Sequence, residues 1–462
     1  MIVLIKIWIN KQEKSEISNE FCDAIVFNLL GRDKDSNIKT NIESIWERFN
    51  LDNLSPVNED LLLLSLAVMA IDKQISRAYF DDRWTRELHV SIPVHEIDKW
   101  NLVKHDLQNM LDFLTGDRWS ISFRKSNLRL RTNPANKKKN IEYIRNKNFD
   151  GVCLFSGGLD SFCGALKLMH SGKNIIFAGY KEHNKLESIQ RLLYNKIKDY
   201  YKENNTELML LRVRFKRGVR ENERLHSLNK ENTTRSRSFM FISIGLSIAS
   251  ILGDNVPVYV PENGFIGINV PLTDGRNGSC STRTTHPYFI KLFGKILENL
   301  GVRNKITNFY SHMTKGEIVQ EFKNNPVFKE CYPFTLSCAH PYRYPVPANC
   351  GYCYPCIIRK TALSTLEVDE TEYNAVLDNN LLASINKGSD LRAILSSLNE
   401  YFTHDNKDEF LRQKLLKNGI LSINELDIYK RVYDKTMQEI CDMIKKEKHK
   451  VDLLKYLRDE RE

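Results

Sequence analysis

The sequence lacks the features of several large classes of protein. No G-x-x-x-x-G-K-[ST] motif occurs in the chain, which excludes a nucleotide site of the Walker type. The longest apolar stretch, from Phe239 to Leu252, is too short and too rich in serine to span a bilayer. The apolar start, Met1 to Ile9, has no basic region ahead of it and no small-residue cleavage site. We therefore predict a strand at this position and not a signal peptide.

Two further absences concern partners and redox state. The net charge is +10, but the basic residues are scattered, and no aromatic-rich basic strand or recognition helix is evident. Nucleic acid is therefore not expected to be the direct ligand. The ten cysteines occur without an export signal, which favours a reducing, cytoplasmic compartment and metal chemistry over disulfides. The chain also has no convincing Ser/His/Asp set for nucleophilic catalysis.

The pattern of the 462 residues predicts three regions, in a composition typical of globular proteins. Residues 1–132 predict an N-terminal α+β accessory domain, with a helix, a strand, a second helix and a second strand. After a linker at 132–140, residues 141–363 alternate strand and helix patterns, which predicts an α/β domain with a doubly wound parallel sheet. Residues 364–462 predict a C-terminal helical region, with a last helix reaching residue 457.

A glycine-rich loop follows the apolar run from Val152 to Phe155, which predicts a buried parallel strand. The loop reads Ser156, Gly157, Gly158, Leu159, Asp160 and Ser161, and a helix pattern continues from it. Adjacent glycines let the backbone approach a ligand closely, and backbone amides with serine hydroxyls can surround an anion at the positive end of a helix. In a doubly wound sheet such a loop lies at the carboxyl ends of the strands, where ligands bind. We predict a phosphate site, with an ordinary glycine-rich turn as the alternative.

Four cysteines form the second strong motif: Cys338, Cys350, Cys353 and Cys356. Two overlapping C-x-x-C steps place three thiolates on one tight turn that Gly351 permits, and Cys338 can supply a fourth from across the loop. Four thiolates satisfy the tetrahedral preference of zinc and leave no open position, which is typical of a structural site. A redox C-x-x-C pair and an iron–sulfur cluster are the alternatives.

The two motifs together resemble a known family. Ser-Gly-Gly-x-Asp-Ser directly after a strand is similar to the pyrophosphate (PP) loop of the ATP-pyrophosphatases, which split ATP into AMP and pyrophosphate to adenylate an acid or amide. With Ser337-Cys338 and the run from Cys350 to Arg359, it resembles the QueC family of 7-cyano-7-deazaguanine synthases over residues 150–363. The segment from Thr314 to Val319 also resembles the family. The resemblance implies an adenine nucleotide alpha hydrolase (HUP-like) fold, structural Zn²⁺, Mg²⁺, and ATP as a substrate.

The resemblance also implies a reaction. QueC adenylates 7-carboxy-7-deazaguanine, ammonia displaces AMP to give an amide, and a second ATP serves to dehydrate the amide to a nitrile. The loop would hold pyrophosphate, with Mg²⁺ offsetting phosphate charge. Candidate catalytic residues are Ser156, Asp160, Ser161, Lys315 and Arg359, although Lys315 or Arg359 could instead make a surface salt bridge. Gly179 and Tyr180, with His183, correspond to the family's second-strand loop, which closes over nucleotide and substrate.

The segment from Glu262 to Pro287 departs from the family, and we expect it to bind the substrate. Its candidate substrate-binding residues, for a carboxylate or a base edge, are Asn263, Arg283, Thr284 and His286. Alternatively, His286-Pro287 simply begins the next helix. With the added region at each end of the chain, this segment resembles the QueC-like proteins of bacterial anti-phage operons of the Qat and CBASS kinds.

For that group the resemblance implies an ATP-dependent carbon–nitrogen ligase acting on a 7-deazaguanine-type acid. The acceptor would change from ammonia to a protein amine, such as the N-terminus of an operon-encoded partner. Three alternatives remain: a 7-cyano-7-deazaguanine synthase using ammonia, a tRNA-thiolating enzyme, and a nucleotide-sensing scaffold of a defence complex. Tight, salt-dependent binding to DNA or RNA would instead indicate a nucleic-acid-binding module.

Overall fold

The computed structural model describes residues 3–11, 16–29, 36–42, 54–129, 148–219, 226, 228–231, 234–272, 280–340 and 349–446. The predicted linker at 132–140 and the predicted helix beyond residue 446 lie outside these ranges. The strands are β1 (Leu4–Asn10), β2 (Ile25–Asn28), β3 (Ile38–Thr40), β4 (Glu87–Val94), β5 (Arg118–Lys125), β6 (Gly151–Leu154), β7 (Ile175–Tyr180), β8 (Thr206–Leu211), β9 (Val213–Phe215), β10 (Val258–Tyr259) and β11 (Ile306–Thr307).

The α-helices are α1 (Pro56–Gln74), α2 (Ile97–Leu102), α3 (Lys104–Thr115), α4 (Leu159–His170), α5 (Asn184–Tyr200), α6 (Arg237–Leu252), α7 (Gly264–Ile268), α8 (Pro287–Asn299), α9 (Lys315–Phe322), α10 (Pro326–Cys331), α11 (Tyr354–Leu363), α12 (Asn379–Ala383), α13 (Ser389–Thr403), α14 (Lys407–Asn418) and α15 (Ile423–Lys446). No helix of the described residues is long and apolar enough to cross a membrane.

The first sheet has the strand order β2-β1-β4-β5, and all of its strands are parallel. Helix α1 lies between β2 and β4 in the chain, and α2 and α3 lie between β4 and β5, so this part of the chain has α/β topology. The prediction of an α+β unit was wrong in this respect. Alternating apolar residues fit parallel and antiparallel pairing equally well, so the pattern could not distinguish the two. The short strand β2 was not predicted.

Helix α1 connects the first sheet to the second. It begins after Ser55, whose hydroxyl accepts a hydrogen bond from the Asn58 amide, with Pro56 at the first helical position. Apart from Pro56 and Lys73, all of its residues are buried, as expected for a helix that is covered on all sides. It packs on β4 and on α6, and one apolar core holds residues of both sheets.

The second sheet has the strand order β11-β10-β6-β7-β8 and is parallel throughout, which confirms the predicted parallel sheet. Successive residues of β6 face opposite sides. Val152 and Leu154 join the core that contains α6, whereas Cys153 and Phe155 join a core with α4 and α5. The chain continues from β6 to β7 on one side and later returns to β10 on the other. The strand order therefore reverses at β6, and a crevice is expected at the carboxyl ends of β6 and β10.

The described part of the C-terminal region is mainly helical, as the apolar pattern predicts. Helices α12 to α15 surround α7 and α11, and they share a core with Cys350, Cys353 and Cys356. The amide of Tyr354, at the start of α11, donates to the Asp390 carboxylate in α13 at 2.7 Å. The C-terminal helices thus pack directly around the cysteine motif.

Candidate functional site

The loop of residues 156–161 connects β6 to α4 in a turn fixed by two serines. Gly157 has φ of +82°, a conformation that costs other residues about 1–2 kcal/mol. The Ser156 hydroxyl accepts from the Gly158 amide at 3.3 Å and donates to the Ser161 hydroxyl at 3.0 Å. The Ser161 hydroxyl donates to the Gly158 carbonyl at 3.0 Å. Because the N-cap of α4 is Gly158, no N-cap side chain covers the first amides of this helix.

Asp160 is held by two residues from other parts of the chain. Its Oδ1 forms an ion pair with Lys315 Nζ at 2.8 Å, and both side chains are only about a tenth exposed. Its Oδ2 accepts from Asn263 Nδ2 at 2.7 Å and from the Asn263 amide at 3.3 Å. Removing one partner of such a buried pair leaves the other charge uncompensated, so the three residues act as a unit.

Lys315 occupies a position that helix electrostatics disfavours. It is the first residue of α9, where the helix dipole is positive, so its charge needs the Asp160 carboxylate as compensation. Thr314 and Glu317 form a capping box that fixes this helix start. Two partners on α15 anchor the same turn: Arg431 donates to Glu317 at 2.8 Å, and Lys435 does so at 2.9 Å.

A cleft of about 440 Å³ opens above the loop, a size common for small-molecule sites. It lies where the strand order reverses. Its polar lining residues include Ser156, Asp160, Ser161, Glu182, His183, Thr234, Arg237, Ser238, Glu262, Thr284, Thr285, Lys315 and Ser337. The structure therefore brings the predicted loop residues, Thr284 and Lys315 into one site.

Four of the polar lining residues lie outside every motif predicted from the sequence: Glu182, Thr234, Arg237 and Ser238. Arg237 forms an ion pair with Glu182 at 3.2 Å and lies 5.6 Å from the centre of the Tyr180 ring. It is the first residue of α6. Crossover helices of a parallel sheet begin at its carboxyl edge, which agrees with the position of Arg237, but its ion pair with Glu182 joins residues far apart in the sequence and was not predicted.

Glu262, which was quoted in the substrate segment but not selected as a site residue, also lines the cleft. Its Oε2 accepts hydrogen bonds from the hydroxyls of Thr284, at 2.7 Å, and Thr285. Burial raises the pKa of Glu262, and the nearby Asp160 charge adds to the increase, while the threonine hydroxyls oppose it.

Asn263 and Gly179 support the site without lining the cleft. Asn263 is fully buried, and its side chain caps α7 by accepting from the Ile266 amide at 3.0 Å. A Cβ on Gly179 would come within 2.9 Å of Gln190 Nε2 and 3.0 Å of the Phe155 carbonyl, so only glycine fits there. Tyr180 is buried beneath Arg237. The His183 ring accepts from the Leu186 amide at 3.2 Å and caps α5.

Arg283 and His286 do not face the cleft, although both were predicted to bind substrate. Arg283 donates to the Phe113 carbonyl at 2.6 Å, and its guanidinium lies 4.4 Å from the centre of the Phe113 ring. His286 is buried, and its Nδ1 accepts from the Tyr288 amide at the start of α8. Burial, with Arg283 nearby, lowers the pKa of His286 to about 3. His286 thus begins the helix, which was the alternative interpretation.

Arg359 is fully buried and is not among the lining residues. Its guanidinium donates to the Thr335 hydroxyl, to the Tyr332 carbonyl at 2.7 Å and to the Thr371 hydroxyl at 3.0 Å. It therefore supports the chain that leads to the cysteine motif. The structure brings it neither to the cleft, as a phosphate-binding residue would require, nor to the surface.

The four predicted cysteine ligands converge. Their sulfur atoms all lie within 4.8 Å of one another, with Cys350 and Cys356 3.9 Å apart and Cys338 and Cys353 4.0 Å apart. Zn–S bonds of about 2.3 Å in a tetrahedron require sulfurs about 3.8 Å apart. The Cys353 amide approaches Cys350 Sγ at 3.3 Å, as in a thiolate turn, and Gly351 has φ of +83°. The buried cluster fits a structural metal ion such as zinc.

Neither family models nor curated proteins nor solved structures match this chain. The geometry of the cleft and the sequence motifs therefore carry the functional argument.

Proposed function

We propose that this protein is a QueC-like ATP-dependent ligase that adenylates a 7-carboxy-7-deazaguanine-type acid for amide formation. We further propose that the acceptor is an amine of an operon-encoded protein partner, and that the reaction serves bacterial anti-phage defence. The fold would then be of the HUP-like PP-loop type, and the cell compartment the cytoplasm.

One observation carries this proposal: the Ser156–Ser161 loop and the Asp160–Lys315 ion pair line the same cleft at the reversal of the strand order. A loop with amides at a helix start favours an anion, and the ammonium group of Lys315, paired with Asp160, lies beside it. A triphosphate is the ligand that this combination supports best. Adenylation requires no side-chain nucleophile, because the substrate carboxylate itself attacks ATP.

The reaction would proceed in two steps. A carboxylate oxygen of the acid attacks the α-phosphorus, the bond to the β-phosphate oxygen breaks, and pyrophosphate leaves. The amine then attacks the acyl carbon, AMP leaves with the bonding electron pair, and the amine loses a proton. Lys315 and the loop amides would stabilise the negative charge that builds on the phosphates in the first step.

The proposed metal ions have separate tasks. Mg²⁺ prefers carboxylate and phosphate oxygens, and the Asp160 carboxylate in the cleft would hold it together with ATP, where it neutralises phosphate charge. Zn²⁺ would be bound by Cys338, Cys350, Cys353 and Cys356 and would fix the chain beside the loop.

The deciding experiment is mass spectrometry of the protein with Mg-ATP and 7-carboxy-7-deazaguanine. One reaction contains ammonia, and another contains the co-expressed operon partners. AMP formation with a mass increment on a partner supports the proposal. AMP with free nitrile would instead indicate a 7-cyano-7-deazaguanine synthase, and no AMP under either condition would favour the scaffold alternative.

A further inference from the structure

We infer that Glu262 selects the substrate of this cleft by accepting a hydrogen bond from an N–H group on the aminopyrimidinone edge of a guanine-type base. This inference rests on the proposed function, because it assigns a residue to the base of the acid that is adenylated. It goes further by naming the hydrogen-bonding edge of the base that the enzyme recognises.

The side chain of Asn308 forms hydrogen bonds with both the amide and the carbonyl of Glu262. Asn308 Oδ1 accepts from the Glu262 amide at 3.3 Å, and Asn308 Nδ2 donates to the Glu262 carbonyl at 2.9 Å. The next residue, Asn263, is held by Asp160 of the anion loop at 2.7 Å. The carboxylate is therefore preorganised relative to the nucleotide end of the cleft.

The two carboxylate oxygens of Glu262 have different surroundings. Oε2 accepts hydrogen bonds from the hydroxyls of both Thr284 and Thr285. Oε1 accepts no hydrogen bond from the described part of the chain, and no described lysine or arginine forms an ion pair with Glu262. Burial of a carboxylate that forms no ion pair is costly unless a ligand completes its hydrogen bonds.

The chemistry of a carboxylate narrows the choice of ligand. A carboxylate repels phosphate, so Glu262 is suited to the part of the substrate away from the triphosphate. An aminopyrimidinone edge presents adjacent N–H donors, and a carboxylate oxygen accepts from such donors with a charge-assisted bond. Burial and the Asp160 charge raise the pKa of Glu262, whereas the two threonine hydroxyls favour its ionised form. Hydrogen bonds from the base to Oε1 would favour the ionised form further.

The variant Glu262→Gln tests this arrangement sharply. Because Thr284 and Thr285 both donate to one position, they would bind the amide oxygen and turn the amide NH₂ toward the cleft. The amide NH₂, which is a hydrogen-bond donor, would then face the N–H donors of the base and could not accept a hydrogen bond from them. The size and shape of the side chain hardly change, so packing effects remain small.

The experiment compares 7-carboxy-7-deazaguanine with its analogue lacking the 2-amino group, in the wild type and in Glu262→Gln. The readout is kcat/KM for acid-dependent release of AMP. We expect the wild type to prefer the amino compound by about 10- to 100-fold, as a charge-assisted hydrogen bond provides. Glu262→Gln should lose this preference while keeping its KM for ATP, its zinc content and its melting temperature. Glu182→Gln, a carboxamide on the other wall of the cleft, should retain the preference.

If Glu262→Gln keeps the preference for the compound with the 2-amino group, the inference is overturned. A change confined to the KM of the acceptor amine would also overturn it. If the wild type forms no AMP, the proposed function fails by itself. Calorimetric titration of the two heterocycles then tests Glu262 separately: equal affinity of the wild type for both compounds refutes its role in reading the base. Glu262→Asp, which keeps the charge, should recover part of the preference.

Discussion

The amide of Leu336 donates a hydrogen bond to the carbonyl of Gly157 at 2.9 Å. Leu336 lies two residues before Cys338, so this bond joins the cysteine motif to the loop of residues 156–161. Leu336, Ser337 and Cys338 also line the cleft. The order of the loop therefore depends on the order of the cysteine motif.

Removal of the metal should reduce both stability and nucleotide binding. We expect one Zn²⁺ per chain, and we expect Cys350→Ser or a strong chelator to lower the melting temperature and weaken ATP binding together, because thiolate ligation and folding are coupled. Elemental analysis, thermal melts and ATP titration measure the three quantities. The exposed Cys22 provides the control: Cys22→Ser should change none of them. Full ATP affinity in a metal-free sample would contradict the link through Leu336.

Asp160→Asn should reduce turnover by about 100-fold or more, the usual effect of removing a charge-stabilising group from a site. The change breaks the ion pair with Lys315 and removes the carboxylate proposed for Mg²⁺. Steady-state AMP formation measures the loss. Asp150→Asn is the matched control, because Asp150 directly precedes β6, at the end of that strand opposite the loop, and accepts from the Asn174 amide. Equal losses in the two variants would show a general effect on folding.

Gly157→Ala should cost about 1–2 kcal/mol of stability, the usual cost of a left-handed conformation for other residues. It should also weaken ATP binding, because the new Cβ lies 3.2 Å from Gln190 Cγ and the loop must shift. Gly172, with φ of +72° and open space around it, follows the other end of α4. Gly172→Ala should lose a similar amount of stability in chemical denaturation, but its affinity for ATP should not change. Unchanged ATP affinity in Gly157→Ala would argue against a phosphate-binding loop.

The contact between α9 and α15 should make stability depend on pH. Although burial opposes it, hydrogen bonds from Arg431 and Lys435 lower the pKa of Glu317 to about 2 from the usual 4.5. Because the pKa is lowered in the folded state, this stabilisation is complete above about pH 4.5 and is lost as the pH falls toward 2. Melting temperatures of the wild type and Glu317→Gln should therefore differ near neutral pH.

The difference in melting temperature between the wild type and Glu317→Gln should shrink as the pH falls from about 4.5 toward 2. Glutamine can keep the capping box with Thr314, so the variant isolates the charge. A difference in melting temperature that is independent of pH would show that Glu317 acts by packing alone.

Local patterns were sufficient for the features that depend on neighbouring residues. The helix over Pro287–Asn299, the strand of Val152, the glycine turn and the cysteine spacing are encoded within a few residues, and the structure has them at the predicted positions. The pairing direction of β1 and β4 is not encoded locally, since one alternating pattern serves either direction.

The direction in which side chains point was the second feature that could not be predicted from the sequence. Arg359 belongs to the cysteine motif in sequence, but its helix turns it toward Tyr332 and Thr335. Glu182 and Arg237 are distant in sequence and meet only because β7 ends, and α6 begins, at the same edge of the sheet. Such long-range pairs cannot be read from one sequence, whereas Glu262 could have been found as an acidic residue directly after β10.

Helix α1 is covered on one side by the first sheet and on the other by α6 of the second. Asp72 of α1 also accepts hydrogen bonds from the amide and hydroxyl of Ser236, directly before α6. Neither sheet can open without exposing apolar surface of the other, so heat or denaturant should unfold both in a single cooperative transition. If the chain were divided between the two sheets, each part would expose the apolar surface that the other covers.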